Sequence, residues 1–157
     1  MKSDNRLANS FIVYVATVLF IAVGGLTTTQ LHWLHAMQQP SWMPVDDIIA
    51  TAWLILFLCV ASSMSLFWNK SIHNKAFHYS IALYAGNAFL VLLWNFVFFG
   101  LHNLSASVWV AGFVSVVTIV LMVRVRKVIT AAVLLVPYLA WLLFAMYVTQ
   151  QIILLNP

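Results

Sequence analysis

Gln30–Trp53, QLHWLHAMQQPSWMPVDDIIATAW, is the stretch that decides how this chain is read. It carries Trp33, Trp42 and Trp53, two of the four prolines (Pro40 and Pro44), and the adjacent carboxylates Asp46 and Asp47. Long apolar runs flank it on both sides. Proline fixes φ, lacks an N–H and disfavours helix in the residue before it, so two of them bracketing Trp42 make a stiff connection. A stiff, aromatic, polar loop between two apolar helices is where a membrane protein builds a lid or a ligand mouth.

Working outward, the composition sets the solvent. The chain has 157 residues, of which 64% are hydrophobic and only 6% charged. A soluble domain carries about 25% charged residues, so most of this chain faces lipid. The net charge of +4 is spread over short connections with no dense basic run, which excludes a nucleic-acid partner. The lone Cys59 lies within an apolar run and reads as a small packing residue.

A transmembrane helix needs about 20 apolar residues. Runs near 11–29, 48–68, 77–100, 105–123 and 128–155 meet that length, which predicts an all-α integral membrane bundle of five transmembrane helices in one domain, 1–157. The first run is too long, and lacks the small-residue site, to read as a cleaved signal peptide. With five alternating spans, Lys2, Arg6, Lys70, Lys75, Arg124, Arg126 and Lys127 all fall on one side of the membrane. That side is expected to be cytoplasmic, with the N-terminus on it and the 30–47 loop and C-terminus opposite. Gly24-Gly25, Ala82 with Gly86, and Ala111 with Ser115 are small-residue contacts, within the chain or between subunits.

Several large aromatics converge on the outer half: Trp53 lies inside the second span, Trp94 towards the outer end of the third, and Trp141 within the fifth after Pro137-Tyr138. Flat aromatic walls suit a flat amphipathic ligand, or else they fill the bundle. Trp68 and Trp109 sit near helix ends as interface anchors. Asp46 and Asp47 are expected to cap the second helix and complement its dipole. His32 and His35 have ligand-compatible spacing but no third donor nearby, so no metal site is expected. No catalytic triad order, phosphate loop or CxxC is present, and no charge lies mid-span, which argues against an ion-coupled pump.

Trp33, Gln39-Pro40-Ser41-Trp42-Met43-Pro44 and Ala52-Trp53 together resemble the signature of the TspO/MBR family, the tryptophan-rich sensory or translocator proteins. Trp94-Asn95-Phe96-Val97-Phe98-Phe99-Gly100 and Val136-Pro137-Tyr138-Leu139-Ala140-Trp141 with Ala145 are similar to the ends of that family's third and fifth helices. The resemblance covers nearly the whole chain. It implies a small five-helix protein, usually a homodimer, that binds protoporphyrin-like tetrapyrroles or haem as ligand, with no required cofactor. The implied ligand-binding set is Trp33, Trp42, Pro44, Trp53, Asn87, Trp94, Tyr138, Trp141 and Ala145. Trp53 and Trp141 would also act in light-dependent porphyrin breakdown, if the protein is an enzyme. A stress-response interaction protein with a weakened pocket is the further alternative.

The departures from the family pattern are specific. Val45 replaces a proline, Asp47 a tryptophan, Leu34 an aromatic, Val91 an asparagine and Phe96 a proline. Asn87, one turn from Val91, shares its face and is positioned to substitute for it. The replacements at 45 and 47 predict a looser, less aromatic loop. No basic residue follows Tyr147, so no sterol-recognition motif is expected.

Overall fold

The computed structural model describes residues 2–27 and 31–157, with side chains for 5–26 and 31–157. The expected end of the first run at Thr29 and the start of the loop at Gln30 fall outside these. Among the described residues the chain forms helices and short connections, with no strand. Five stretches are long and apolar enough to cross a membrane. They are α1 (Lys2–Thr27), α3 (Asp46–Lys70), α4 (Lys75–Asn95) with its continuation Phe96–Gly100, α5 (Leu104–Val125), and the pair α6 (Ile129–Leu134) and α7 (Val136–Leu155). The short α2 (His32–His35) lies in the loop after α1.

The first helix begins well ahead of the expected Phe11, because its polar end has partners on α3. Asn9 Nδ2 donates to Asn69 Oδ1 at 3.2 Å, Ser10 and Ser65 hydroxyls meet at 2.7 Å, and Tyr14 and Ser62 hydroxyls at 2.9 Å. In lipid such pairs have little water to compete with them, so they hold α1 on α3. The helices close a ring: α1 packs on α3, α3 on α6 and α7, α7 on α5, α5 on α4, and α4 back on α1.

Three stacked clusters fill the ring. Phe67, Tyr84, Leu121 and Leu135 fill the end that carries the Lys and Arg residues. Leu56, Val91, Val114, Tyr138 and Leu142 fill the middle. Leu34, Phe98, Leu104, Val148 and Ile152 fill the end that carries Asp46 and Asp47. Outward-facing Phe11, Val18, Phe89, Phe113, Ile119 and Leu143 remain exposed, as lipid-facing side chains should.

Two spans depart from straight α-helix. The last five residues of the third span, Phe96–Gly100, form a π-helical turn, with Leu101 N–H bonded to Phe96 C=O at 2.9 Å. Gly100 fits closely there: a Cβ would come 3.1 Å from the Phe96 ring, which would have to give by a few tenths of an ångström. The fifth span breaks at Leu135, because Pro137 has no N–H to give the preceding turn. Leu135 N–H turns to Ala132 C=O, which leaves Ala131 C=O without its helical donor. The Ser63 hydroxyl of α3 supplies one at 2.6 Å and accepts in turn from Tyr84 Oη.

The small-residue pairs separate by role. Ala111 and Ser115 are buried against α7, where the Ser115 hydroxyl lies 3.8 Å from Met146 Sδ, so that contact is within the chain. Ala82 and Gly86 look outward, and a Cβ on Gly86 would meet nothing. Asp46 and Asp47 stand in the first turn of α3, while Val45 is the N-cap and makes no side-chain capping bond. Their contribution is therefore to the helix dipole and not to a capping hydrogen bond.

Candidate functional site

The 31–45 segment folds over the acidic end of the bundle. Leu34 of α2 is buried among Phe98, Leu104, Val148 and Ile152, which pins the short helix to three spans. Trp33 packs beside Phe98 at 5.6 Å and over the His102 ring at 4.5 Å. His102 holds φ at 52°, a left-handed conformation unusual for a non-glycine residue, in the connection between α4 and α5. Two polar ties complete the docking. His35 Nε2 lies 2.8 Å from Asp46 Oδ2. The Asn156 side chain, past the end of α7, reads both backbone groups of Gln38, accepting from its N–H at 3.0 Å and donating to its C=O at 2.9 Å. The loop is thus better secured than its missing proline at position 45 suggests.

Beneath it lies a cavity of about 420 Å³. This is within the size range of small-molecule sites. Leu31, Leu34, Met43 and Pro44 form its roof. Trp53, Trp94 and Trp141 form its walls: Trp53 is 5.8 Å from Trp94 and meets Trp141 edge-on at 6.3 Å. Phe57, Phe98 and Phe144 extend the aromatic surface along α3, α4 and α7. The π turn contributes directly, since its smaller rotation per residue lets adjacent Phe98 and Phe99 both line the cavity, 4.7 Å apart. Asp47, Ala50 and Leu54 of α3 and Gly25 of α1 line the cavity and are also exposed, which places its mouth between α1 and α3.

The walls carry few polar groups. Asn95 and Thr149 line the cavity, and the Thr149 hydroxyl donates to Ala145 C=O at 2.8 Å. The Trp141 indole N–H is buried and has no hydrogen-bond partner among the described residues. A buried donor without an acceptor is costly.

Of the residues singled out in the sequence, Pro44, Trp53, Trp94, Trp141 and Ala145 line the cavity. Trp33, Trp42, Asn87 and Tyr138 do not. Trp42 is half-exposed and stacks on Tyr147 at 5.4 Å, fastening the loop to the outer face of α7. Asn87 and Tyr138 lie below the floor in a buried network. Tyr138 Oη donates to Asn87 Oδ1 at 2.9 Å, and Asn87 Nδ2 donates to Thr118 Oγ1 at 2.9 Å, so α4, α5 and α7 are tied together.

Sequence reasoning passed over Phe20, Ile21 and Gly24 of α1, and Asn95, Phe98, Phe99 and Phe144, all of which line the cavity. Gly24 had a legible signal as a small residue. A Cβ there would come 3.4 Å from Asn95 Nδ2, an ordinary contact distance, and the position lies beside α4 at the cavity. Among the described residues, no three His, Cys, Asp or Glu side chains come together to hold a metal ion.

The geometry can now be set beside known proteins. The model of the TspO/MBR family matches residues 11–155. The chain belongs to the TspO/MBR family. It is 28% identical to the tryptophan-rich protein TspO of Chlorobaculum tepidum, over 98% of this chain and 99% of that one. It is 29% identical to the translocator protein of Sus scrofa, over 88% of this chain and 87% of that one. The protein CrtK of Rhodobacter capsulatus is 25% identical, over 94% of this chain and 92% of its own length. In this TspO/MBR chain the loop and the aromatic walls fall inside the matched region.

Proposed function

We propose that this TspO/MBR protein binds a flat, amphipathic tetrapyrrole of the protoporphyrin or haem class in the cavity under the 31–45 loop, in tetrapyrrole handling, transport or sensing. The observation that carries this reading is the convergence of Trp53, Trp94 and Trp141 around a roofed space. Aromatic faces reward a conjugated ring by stacking and by apolar burial. The mouth between α1 and α3 opens along the bundle side, which suits a ligand that partitions into the bilayer. The name translocator protein, carried by the Sus scrofa relative, supports movement of such a ligand as part of the reading.

The same proposal places the N-terminus in the cytoplasm and the loop on the opposite side, because Lys and Arg stand at one end of the bundle. It also includes a homodimer, for which the outward Ala82 and Gly86 face of α4 offers close approach.

Titration of the detergent-solubilised protein with protoporphyrin IX, as free acid and as dimethyl ester, tests the binding reading. Saturable tryptophan quenching with a shifted porphyrin absorption band is the expected result. A response no different from that of an unrelated five-helix membrane protein would remove the proposal.

A further inference from the structure

The cavity has a charge character that its aromatic walls hide. Asp46 and Asp47 both line it, and among the described residues no Lys, Arg or His does. The nearest basic residue along α3 is Lys70, at the far end of that 25-residue helix. At 1.5 Å per residue this is about 36 Å away, several Debye lengths at physiological salt. Among the described residues Asp46 has His35 as its one ion-pair partner. The Asp47 side chain, exposed at the mouth, has no ion pair or hydrogen bond among them. The start of α3 supplies about half a unit of positive charge. Set against two carboxylates, that leaves the mouth negative even when His35 is charged. The other titratable groups of the loop and its neighbours, His32 and His102, do not line the cavity.

A ligand in this cavity therefore meets an apolar aromatic body and an acidic rim. We infer that the site selects flat aromatic amphiphiles whose polar end is neutral or cationic, and discriminates against dicarboxylate ligands, with Asp47 as the specificity-determining residue. The inference rests on the binding reading above and ranks ligands within it: protoporphyrin and haem carry two propionates each, so as free acids they bind more weakly than as esters. A free propionate emerging at the mouth would face Asp47 with no cation to receive it. An ester would not, and an ammonium would gain a partner there. The rim is bordered by apolar side chains of α1 and α3, but Asp47 itself is exposed, so its charge acts partly screened and is sensitive to salt.

The test holds the ring constant and changes only the charge at its edge. Affinities of the solubilised protein are measured for protoporphyrin IX, its dimethyl ester and a diamide carrying two tertiary amines. The expected order is diamine tightest, then ester, then diacid, with about tenfold between ester and diacid. Asp47→Asn is expected to compress that ratio to about threefold or less. Raising the salt from 0.05 to 0.5 M is expected to compress it too, because the rim is partly exposed. Equal affinities for all three, or a diacid bound tightest, would overturn the inference while leaving the binding reading intact. So would a ratio untouched by Asp47→Asn. Binding of none of the three would overturn both.

Discussion

At the scale of single residues, the sharpest distinction is between aromatic side chains that face the cavity and polar ones that hold the bundle beneath it. Asn87 and Tyr138 belong to the second group. In Asn87→Ala the Tyr138 hydroxyl loses its acceptor and Thr118 loses a donor in a place water does not reach. The expected cost is about 1 kcal/mol, between the usual 1–3 kcal/mol for an orphaned buried group and the smaller average found between membrane helices. Thermal unfolding in detergent should show a lower midpoint, and Tyr138→Phe should lower it less because it removes a donor without stranding the Asn87 carbonyl as severely. A ligand affinity that collapsed in Tyr138→Phe with no loss of stability would place the hydroxyl in the binding site instead. Ser63→Ala should cost about 1–3 kcal/mol by the same reasoning, since Ala131 C=O at the break in the fifth span loses its substitute donor. Trp53 and Trp141 were legible as cavity residues through the family resemblance; position alone left open whether they only fill the bundle. Phe98, Phe99 and Phe144 were not. In a lipid-embedded span both faces are apolar, so the periodicity that marks the inward face of a soluble helix is missing.

At the scale of elements, hydropathy and the positions of Lys and Arg were enough to delimit the spans, because a membrane demands length and excludes charge. What they did not contain was the irregular backbone. The break at Leu135 follows from Pro137, which was visible in the sequence. The π turn at Phe96–Gly100 has no comparable marker: Gly100 accommodates it, and nothing in FVFFG demands it. The loop shows how a local rule is overridden by contacts from afar. Val45 in place of proline suggests a slack connection, yet Leu34 is buried and Asn156, more than a hundred residues away in sequence, clamps Gln38 from both sides. Asn156→Ala removes that clamp. If the loop is the lid over a bound ligand, dissociation should speed up by about fivefold, the equivalent of roughly 1 kcal/mol of lost hydrogen bonding. Stopped-flow release of the porphyrin ester measures this, and an unchanged rate would mean that the ligand leaves without moving the loop.

At the scale of the whole molecule, a ring of five spans encloses an aromatic cavity near one end, and all the Lys and Arg residues lie towards the other. That asymmetry predicts the orientation directly. With Cys59 replaced by serine, a cysteine at Ser41 should react with a membrane-impermeant maleimide on intact cells, and one at Ser71 only after the membrane is opened. The reverse pattern would invert the proposed topology. The same ring gives the central proposal its form: the cavity is proposed as a ligand site because Trp53 and Trp141 wall it from two different spans. The direct test is the affinity of Trp53→Phe/Trp141→Phe for protoporphyrin IX dimethyl ester, read from the shift of the porphyrin absorption band, with helix content checked by circular dichroism. The account predicts binding at least about tenfold weaker than in the parent, or ~1.4 kcal/mol, with the fold retained. Equal affinity in a folded double variant would contradict it.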